Sequence, residues 1–366
     1  MKCTVKIKPL QLLSAAAASV MLLTSCSSGP AVLSYKDSVI TENEFIYYLA
    51  TYKASFLNTY KDFQDKASFY SAPLGDTGLT GEEFIFESIL RNVKMSLVCD
   101  ALADEYGLTV SESTVEVIDE YLDDFIFEYA GGSKTQFNQA LSQYGINVNM
   151  LRDIYLRDEL GSALYTYLYG ENGTIGFTDA DRSAYLEENY VRVRHIYVNN
   201  SYTYAVDEDG VVMTNPDGTY KTVALEGEAL DAKNAVIAQI DSALAAGEDF
   251  DAVYTAYSED QLYKNGYYIT RNMNFVSDVV VSAFDLEIGK YVKLESDVGT
   301  HYIMRLEMDE KPWENEDNAD FFADYDVNVS SKLFSDYIES LIGEVVVNEE
   351  ILSEYSVEDS AVNYRF

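Results

Sequence analysis

The sequence predicts an α+β protein, mainly helical in its first half, with a shorter segment in which strands and helices alternate. Up to about residue 170, apolar residues recur every three or four positions, which is typical of amphipathic helices. Beyond residue 190, short runs rich in β-branched and aromatic residues alternate in polarity, which is typical of strands. The 366 residues are enough for two domains, each with its own core.

The N-terminus has the pattern of a secretory signal. Lys2, Lys6 and Lys8 precede an apolar stretch at 10–23, which is too short for a permanent membrane span. The next residues, Leu-Thr-Ser-Cys at 23–26, resemble the lipobox of bacterial lipoproteins. This resemblance implies that 1–25 is a removable signal peptide, that Cys26 carries the lipid and that 26–34 is a tether. The alternative is an ordinary signal with a coincidental cysteine.

The composition is strongly acidic. Against 25 Lys and Arg stand 62 Asp and Glu, a formal charge of −37, which becomes −40 when the three lysines leave with the signal. Nucleic acid and anionic lipid headgroups are therefore unfavourable partners. An acidic surface instead favours basic, unfolded polypeptide as a partner, or simply keeps the chain soluble.

After a short strand at 32–35, the sequence predicts a series of helices up to Gly170. Thr41 with Glu44 and Thr80 with Glu83 have the spacing of capping boxes, which predicts the start of the first two helices. The third helix is predicted over 113–129. Its predicted inward-facing residues are Val115, Ile118, Leu122, Phe125 and Tyr129.

The later segment begins with a predicted strand at 191–198. Asp209-Gly210 and Asp217-Gly218 are turn signals, and they predict an exposed β-hairpin insertion at 199–227. Helices at about 228–246 and 250–257 and strands at 267–269, 291–294 and 301–306 follow. A helix is predicted over 320–342, and 345–347 is strand-like.

The chain contains only two histidines, His195 in the first of these later strands and His301 in the last. Antiparallel pairing of the first and last strands of a compact domain would bring the two imidazoles together. The alternative is two unrelated histidines in the core or on the surface. The runs that surround them favour the first interpretation.

Five runs between residues 194 and 303 resemble, in the same order, motifs of the parvulin family of prolyl isomerases. They are RHIYV at 194–198, LAAGEDF at 244–250 with AYSED at 256–260, FVSDV at 275–279, AFDLEIG at 283–289 and DVGTHYI at 297–303. One such run alone would be weak evidence, whereas five in order are specific.

The helical part adds a second resemblance. The runs YGLTVS at 106–111, FNQALSQYGI at 137–146 and LRDI at 151–154 are similar to the chaperone domain of PrsA- and SurA-type extracytoplasmic foldases. This resemblance implies a helical chaperone domain at 35–190, built from both chain ends, with a parvulin-like domain inserted at 191–310. The C-terminal helix and tail, 311–366, would then pack on the N-terminal domain.

The resemblance also implies a chemistry. Rotation about an X–Pro amide is slow because resonance opposes it with a barrier of about 18–20 kcal/mol. A catalyst favours the twisted amide with an apolar pocket and nearby polar groups. By the resemblance, Phe275 and Val279, together with Met273 and Phe284, bind the substrate. The catalytic polar network would be His195, Asp260 and His301, with no metal and no cofactor.

The chain departs from the family pattern at two places. The glycine turn of the family reads Gly266-Tyr-Tyr-Ile, and Val279 stands where phenylalanine is usual. Together, the resemblances imply a prolyl cis–trans isomerase with chaperone function, anchored at the outer face of the cell membrane and acting on unfolded or newly exported polypeptides. A non-catalytic holdase with a degenerate parvulin domain is the alternative, and another surface-binding lipoprotein is a third class. The oligomeric state stays open.

Overall fold

The computed structural model describes residues 29–59 and 66–365. The predicted signal peptide and Cys26 therefore lie outside the described residues. The chain forms two compact units, one from the residues up to Leu164 together with Ile338–Phe366, the other from Tyr165–Tyr337. No helix in the described stretches is long and apolar enough to cross a membrane.

The first unit combines a small sheet with helices. In chain order it contains β1 (Ala31–Tyr35), β2 (Ser38–Thr41), α1 (Glu42–Thr59), α2 (Ala67–Tyr70), α3 (Gly81–Glu105), α4 (Glu112–Ala130), α5 (Lys134–Leu141) and α6 (Val148–Tyr169). The division between the two units falls within α6, after Leu164. Both predicted capping boxes are formed, since each threonine hydroxyl accepts from the N–H of its glutamate and each carboxylate accepts from the N–H of its threonine.

The second unit alternates helices and strands. In chain order its elements are α7 (Asp179–Asn189), β3 (Tyr190–Val198), β4 (Tyr202–Tyr204), β5 (Thr222–Ala224), α8 (Gly227–Ala245), α9 (Phe250–Tyr257), β6 (Tyr267–Thr270), α10 (Ser277–Asp285), β7 (Tyr291–Glu295), β8 (Thr300–Leu306), α11 (Ala319–Phe322) and α12 (Tyr325–Leu341), of which the last continues into the first unit. The predicted α+β class is therefore confirmed, although neither α7 nor α10 is among the predicted helices.

The C-terminal residues return to the first unit. There β9 (Val346–Val347) pairs antiparallel with β1, and α13 (Glu349–Leu352) follows. Lys53 of α1 is almost fully buried, and its ammonium group donates to the carbonyls of Glu358 and Ser360 at 2.9 and 3.1 Å. A buried charge needs such partners, so this lysine fastens the tail to α1.

The sheet of the second unit has the strand order β6-β3-β8-β7, and all its neighbours are antiparallel. Because side chains alternate along a strand, β3 serves two cores. Ile196 and Val198 pack with α8 and α9 on one face. Val191 and Val193 pack with α10 on the other. His195 follows Val193 by two positions and therefore lies on the α10 face.

A third cluster explains where the second unit ends. Leu186 and Tyr190 pack with Tyr268, Phe322 and Tyr325 in this cluster. The compact units separate at 164/165 and 337/338, so α7 and most of α12 belong to the same unit as the sheet. The domain boundaries at 190/191 and 310/311 stay a prediction. The predicted helix 320–342 is broken at residues 323–324 into α11 and α12. Aromatic packing, which has no local sequence signature, holds these flanking helices against the sheet.

Candidate active site

The two histidines occupy neighbouring strands at diagonal positions. Tyr197 of β3 is directly opposite His301 of β8, and His195 is opposite Ile303. His195 and His301 are therefore offset by two residues on the same face of the sheet, a spacing that long side chains can bridge. The imidazole planes differ by only 11°, and the ring centroids are 5.2 Å apart.

A line of hydrogen bonds runs through both rings. His195 Nδ1 lies 3.1 Å from Asp260 Oδ2, and His195 Nε2 lies 3.0 Å from His301 Nδ1. At the far end, His301 Nε2 lies 2.8 Å from the hydroxyl of Ser296. We call Asp260, His195, His301 and Ser296 the imidazole network. The structure thus brings the three predicted catalytic residues together.

The positions of the protons follow from the acceptor at one end. An ionised carboxylate can only accept, so His195 Nδ1–H donates to Asp260. With both rings uncharged, His195 Nε2 must accept from His301 Nδ1–H, and His301 Nε2 accepts from the Ser296 hydroxyl. Every donor in the line points towards Asp260, which fixes one orientation for each ring.

The charges of the network follow from its burial. Burial, followed by the neighbouring His195, lowers the pKa of His301 to about 4, so this ring is neutral at neutral pH. Burial alone would raise the pKa of Asp260. The hydrogen bonds from His195, Tyr267 and the N–H of Leu262 outweigh it, and the pKa of Asp260 lies below its usual value. The site therefore holds a negative charge on Asp260 and a neutral ring at His301.

Asp260 is held by the loop that follows α9. Ser258 ends that helix, its hydroxyl donates to the carbonyl of Asp260 at 2.8 Å, and it accepts from the N–H of Tyr197 at 3.1 Å. The hydroxyl of Tyr267 on β6 donates to Asp260 Oδ2 at 2.5 Å. Of the three predicted catalytic residues, Asp260 has the most exposed side chain, 19% against 4% for His195.

The predicted substrate-binding residues form an apolar cluster beside the network. Met273, Phe275 and Phe284 are partly buried and pack against a core that contains Val279. The ring of Phe275 meets that of His195 edge to face, with centroids 5.7 Å apart and planes at 82°. Val279 is fully buried, so it forms the floor of the cluster and not its open side.

Two glycines let the strands approach closely around the site. Gly266, the one glycine retained from the family's turn, has φ +98°, and a Cβ atom there would lie 2.7 Å from the carbonyl oxygen of Val193. Gly299 precedes β8, and a Cβ there would lie 2.5 Å from the carbonyl oxygen of Val198. Both positions exclude a side chain because β3 passes directly beside them.

Sequence reasoning missed two members of this arrangement. In the sequence, Tyr267 is only a departure from the family's glycine turn, and nothing distinguishes Ser296. No local signal marks either residue, because their hydroxyls reach the network only through the pairing of β6 with β3 and the turn before β8. Within residues 29–59 and 66–365, no group of three His, Cys, Asp or Glu residues is placed to hold a metal ion.

The fold and site define an α+β protein whose antiparallel sheet carries a buried pair of hydrogen-bonded imidazoles. No protein-family model matches the chain, and no curated protein does. Among solved structures, the chain is similar to PrsA from Bacillus subtilis, with 17% identity over 80% of this chain and 93% of that chain and a TM-score of 0.24.

The chain is also similar to two further solved structures. One is the foldase protein PrsA from Streptococcus pneumoniae, with 15% identity over 89% of this chain and 94% of that chain and a TM-score of 0.23. The other is the foldase protein PrsA from Lactococcus lactis, with 14% identity over 89% and 99% of the two chains and a TM-score of 0.25. The resemblance to PrsA-type proteins is thus also found among structures, but similarity at this level carries no argument about activity.

Proposed function

We propose that this protein is a lipid-anchored extracytoplasmic foldase that accelerates the isomerisation of X–Pro bonds in exported polypeptides. The observation that carries the proposal is the contact between the imidazole network and the apolar cluster, made by His195 and Phe275. The partner in this proposal is an unfolded or newly exported chain with X–Pro bonds.

The arrangement suits the twisting of an amide. A planar amide has more charge separation than a twisted one, so an apolar surface against the proline ring disfavours the planar form. Met273, Phe275 and Phe284 would supply this surface. Asp260 would then place a fixed negative charge near the amide while the charge distribution of the amide changes. The carboxylate is already held in position, so it need not reorganise during the rotation.

The residues of the network have different tasks in this proposal. Asp260 has the greater exposure and would face the substrate. His195 and His301 are 4% and 2% exposed, so they are positioning residues that hold the carboxylate and join β3 to β8. The hydroxyl of Tyr267 donates to Asp260 at one end, and the hydroxyl of Ser296 donates to His301 at the other.

The same burial favours one other function. Imidazoles without solvent access do not contact a ligand, so the network also fits a purely structural role in a holdase that binds unfolded chains without catalysis. In that case the protein would suppress aggregation of an unfolded client and leave the X–Pro exchange rate unchanged.

Exchange spectroscopy by NMR on a short X–Pro peptide separates the two functions. The proposal predicts that catalytic amounts of the protein raise the cis–trans exchange rate well above the uncatalysed rate, which is on the order of one event in tens of seconds. An exchange rate equal to background, combined with suppression of client aggregation, would select the holdase.

The anchor is tested separately. Two acyl chains on Cys26 would give stable membrane attachment, whereas one chain binds marginally. We expect metabolic labelling with palmitate to mark the protein in a bacterial host and Cys26→Ser to abolish both the label and sedimentation with membranes. Membrane association of the Cys26→Ser variant equal to that of the parent protein would contradict the anchor.

A further inference from the structure

The segment 199–226, between β3 and α8, forms a small lobe of its own, here called the β-lobe. In the β-lobe, β4 pairs with β5, and three more backbone hydrogen bonds of 2.8 to 2.9 Å form a closed cycle. The N–H of Ala205 donates to the carbonyl of Lys221, the N–H of Lys221 donates to the carbonyl of Met213, and the N–H of Met213 donates to the carbonyl of Ala205. This closed cycle replaces the simple hairpin that the sequence predicts. These backbone hydrogen bonds hold the short runs of the β-lobe to one another.

The β-lobe is ordered although it buries almost nothing. From residue 203 to 224 every side chain is exposed except that of Ala205. Seven large hydrophobic residues of this stretch are between 40% and 62% exposed. They are Tyr204, Val206, Val211, Val212, Met213, Tyr220 and Val223. Such a concentration of exposed apolar side chains marks an interaction surface, because it adds nothing to the core.

The β-lobe is fixed beside the imidazole network. Its first strand begins five residues after Tyr197, whose ring lies 5.1 Å from that of His301. Asn200, at the base of the β-lobe, accepts a hydrogen bond from the hydroxyl of Thr300, the neighbour of His301. Beyond the base, the ring of Tyr204 contacts those of Tyr202 and Tyr220 at 5.9 and 5.4 Å. Aromatic rings thus lie both beside the network and within the β-lobe.

The charge of the β-lobe selects among occupants. It contains five acidic residues, Asp207, Glu208, Asp209, Asp217 and Glu226, and one basic residue, Lys221. A second copy of this chain, with its charge of −37, would be repelled, as would an anionic lipid surface. A basic segment with apolar side chains complements the β-lobe in both respects.

We infer that the β-lobe is a docking surface for extended, apolar and basic segments of unfolded polypeptides, which it holds beside the imidazole network. This inference rests on the proposed function and names the region where a client first binds. Rigid tyrosine rings and exposed valines provide the apolar contact, and the acidic turns select positive charge.

Two matched triple variants of the full-length protein test the inference. The first carries Val206→Thr, Val211→Thr and Tyr220→Thr on the β-lobe, at residues that are 55%, 61% and 62% exposed. The control carries Val281→Thr, Ile288→Thr and Val327→Thr, at residues of the same unit that are 57%, 59% and 57% exposed. Threonine keeps the preference for strands, so the β-lobe retains its fold.

The probe is a fluorescein-labelled peptide of alternating Val, Lys and Ser without proline, and a second peptide has Glu in place of Lys. We expect the β-lobe variant to bind the Lys peptide at least tenfold more weakly than the parent protein and the control. We also expect the parent protein to bind the Glu peptide at least tenfold more weakly than the Lys peptide. Equal affinity of the β-lobe variant and the parent, or of the two peptides, would overturn the inference.

Two further measurements address other occupants. A dimer of the parent protein in sedimentation velocity that the β-lobe variant dissolves would overturn the inference in favour of a second copy. Binding of the Cys26→Ser protein to phosphatidylglycerol vesicles that the β-lobe variant loses would overturn it in favour of a lipid surface.

Isomerase activity on an X–Pro tetrapeptide separates this inference from the proposed function. The tetrapeptide lacks the extended apolar and basic segment that the β-lobe is inferred to bind. The β-lobe variant should therefore retain the parent rate within about twofold while its binding of the Lys peptide is lost. Parent activity without β-lobe binding refutes the inference alone. β-lobe binding without parent activity refutes the isomerase alone.

Discussion

His195 Nε2 lies 3.0 Å from His301 Nδ1, although 106 residues separate the two histidines in the chain. The contact exists because β3 and β8 are antiparallel neighbours in a register that places the rings diagonally on one face. Burial of His301 between these strands then lowers the pKa of this ring, with consequences that can be measured.

The first consequence is a pH-dependent stability. In the folded protein the pKa of His301 is about 4, whereas the unperturbed value is 6.5. Between these values the unfolded state binds more protons, so stability falls as pH decreases from 6.5 to 4, by about 3 kcal/mol for a shift of this size. Urea unfolding followed by the fluorescence of Trp313, the chain's only tryptophan, measures this in the second unit.

The matched variant for this titration is His301→Asn, which lacks the imidazole. We expect it to be less stable than the parent at pH 7 and to have a much flatter dependence between pH 6.5 and 4. A parent protein with no slope in this interval would show that His301 titrates normally.

The hydroxyl of Tyr267 helps to keep Asp260 ionised. Removing it with Tyr267→Phe preserves the ring and deletes the hydrogen bond to Asp260 Oδ2, so we expect the pKa of Asp260 to rise. The control is Tyr268→Phe, because the Tyr268 hydroxyl makes the same kind of bond to Asp309, at 2.5 Å. NMR titration of the Asp260 carboxyl carbon compares the two variants. An unchanged pKa of Asp260 in Tyr267→Phe, or an equal rise of this pKa in Tyr268→Phe, would refute this role.

Gly266 should be intolerant of a side chain. A Cβ atom there would lie 2.7 Å from a backbone oxygen of β3, whereas one at Gly289, with a similarly positive φ of +76°, would meet nothing within 4 Å. Gly289→Ala should cost about 1–2 kcal/mol for its backbone conformation alone. Gly266→Ala should cost about 1–3 kcal/mol more, since β3 must move. Equal losses in Trp313-monitored unfolding would contradict the close approach.

In the first unit, a buried ion pair joins α1 and α6. Arg157 Nη1 lies 3.0 Å from Glu44 Oε1, and the two side chains are 14% and 11% exposed. Arg157→Ala leaves the carboxylate buried without its partner, which costs about 3–5 kcal/mol. Arg152→Ala on the same helix breaks the more exposed pair with Asp119 and should cost less than about 1 kcal/mol. Urea unfolding followed by circular dichroism compares them, and similar losses would refute the prediction.

Local sequence signals predicted well those elements whose conformation is determined by residues close together in the sequence. Both capping boxes formed, the two helices after the β-lobe lie within one residue of their predicted bounds, and the strands around 267, 291 and 301 are present. Alternation along 191–198 also placed His195 in a strand. These features depend on neighbours in sequence, so one sequence suffices to find them.

Features that depend on register and distant packing were not accessible. A slip of one residue between β3 and β8 would place His301 on the other face, and nothing in either strand alone fixes that register. The three-way cycle of the β-lobe requires three short runs to pair at once. On α4 the buried stripe is Ile118, Leu122, Ile126 and Ala130, while Tyr129, predicted to face inward, is exposed. Which part of an apolar face is covered depends on the partner elements.

The most direct test of the proposed catalysis compares the effects of two aspartates on X–Pro exchange. Asp260→Asn removes the charge that ends the imidazole network, while Asp251→Asn removes a carboxylate that pairs with Arg194 on the opposite face of β3. A hydrogen bond to a charged group is worth about 1.5–3 kcal/mol, so kcat/KM should fall about tenfold to hundredfold in the first variant. It should change less than about twofold in the second. Equal kcat/KM values for both variants and the parent protein would show that the imidazole network takes no part in isomerisation.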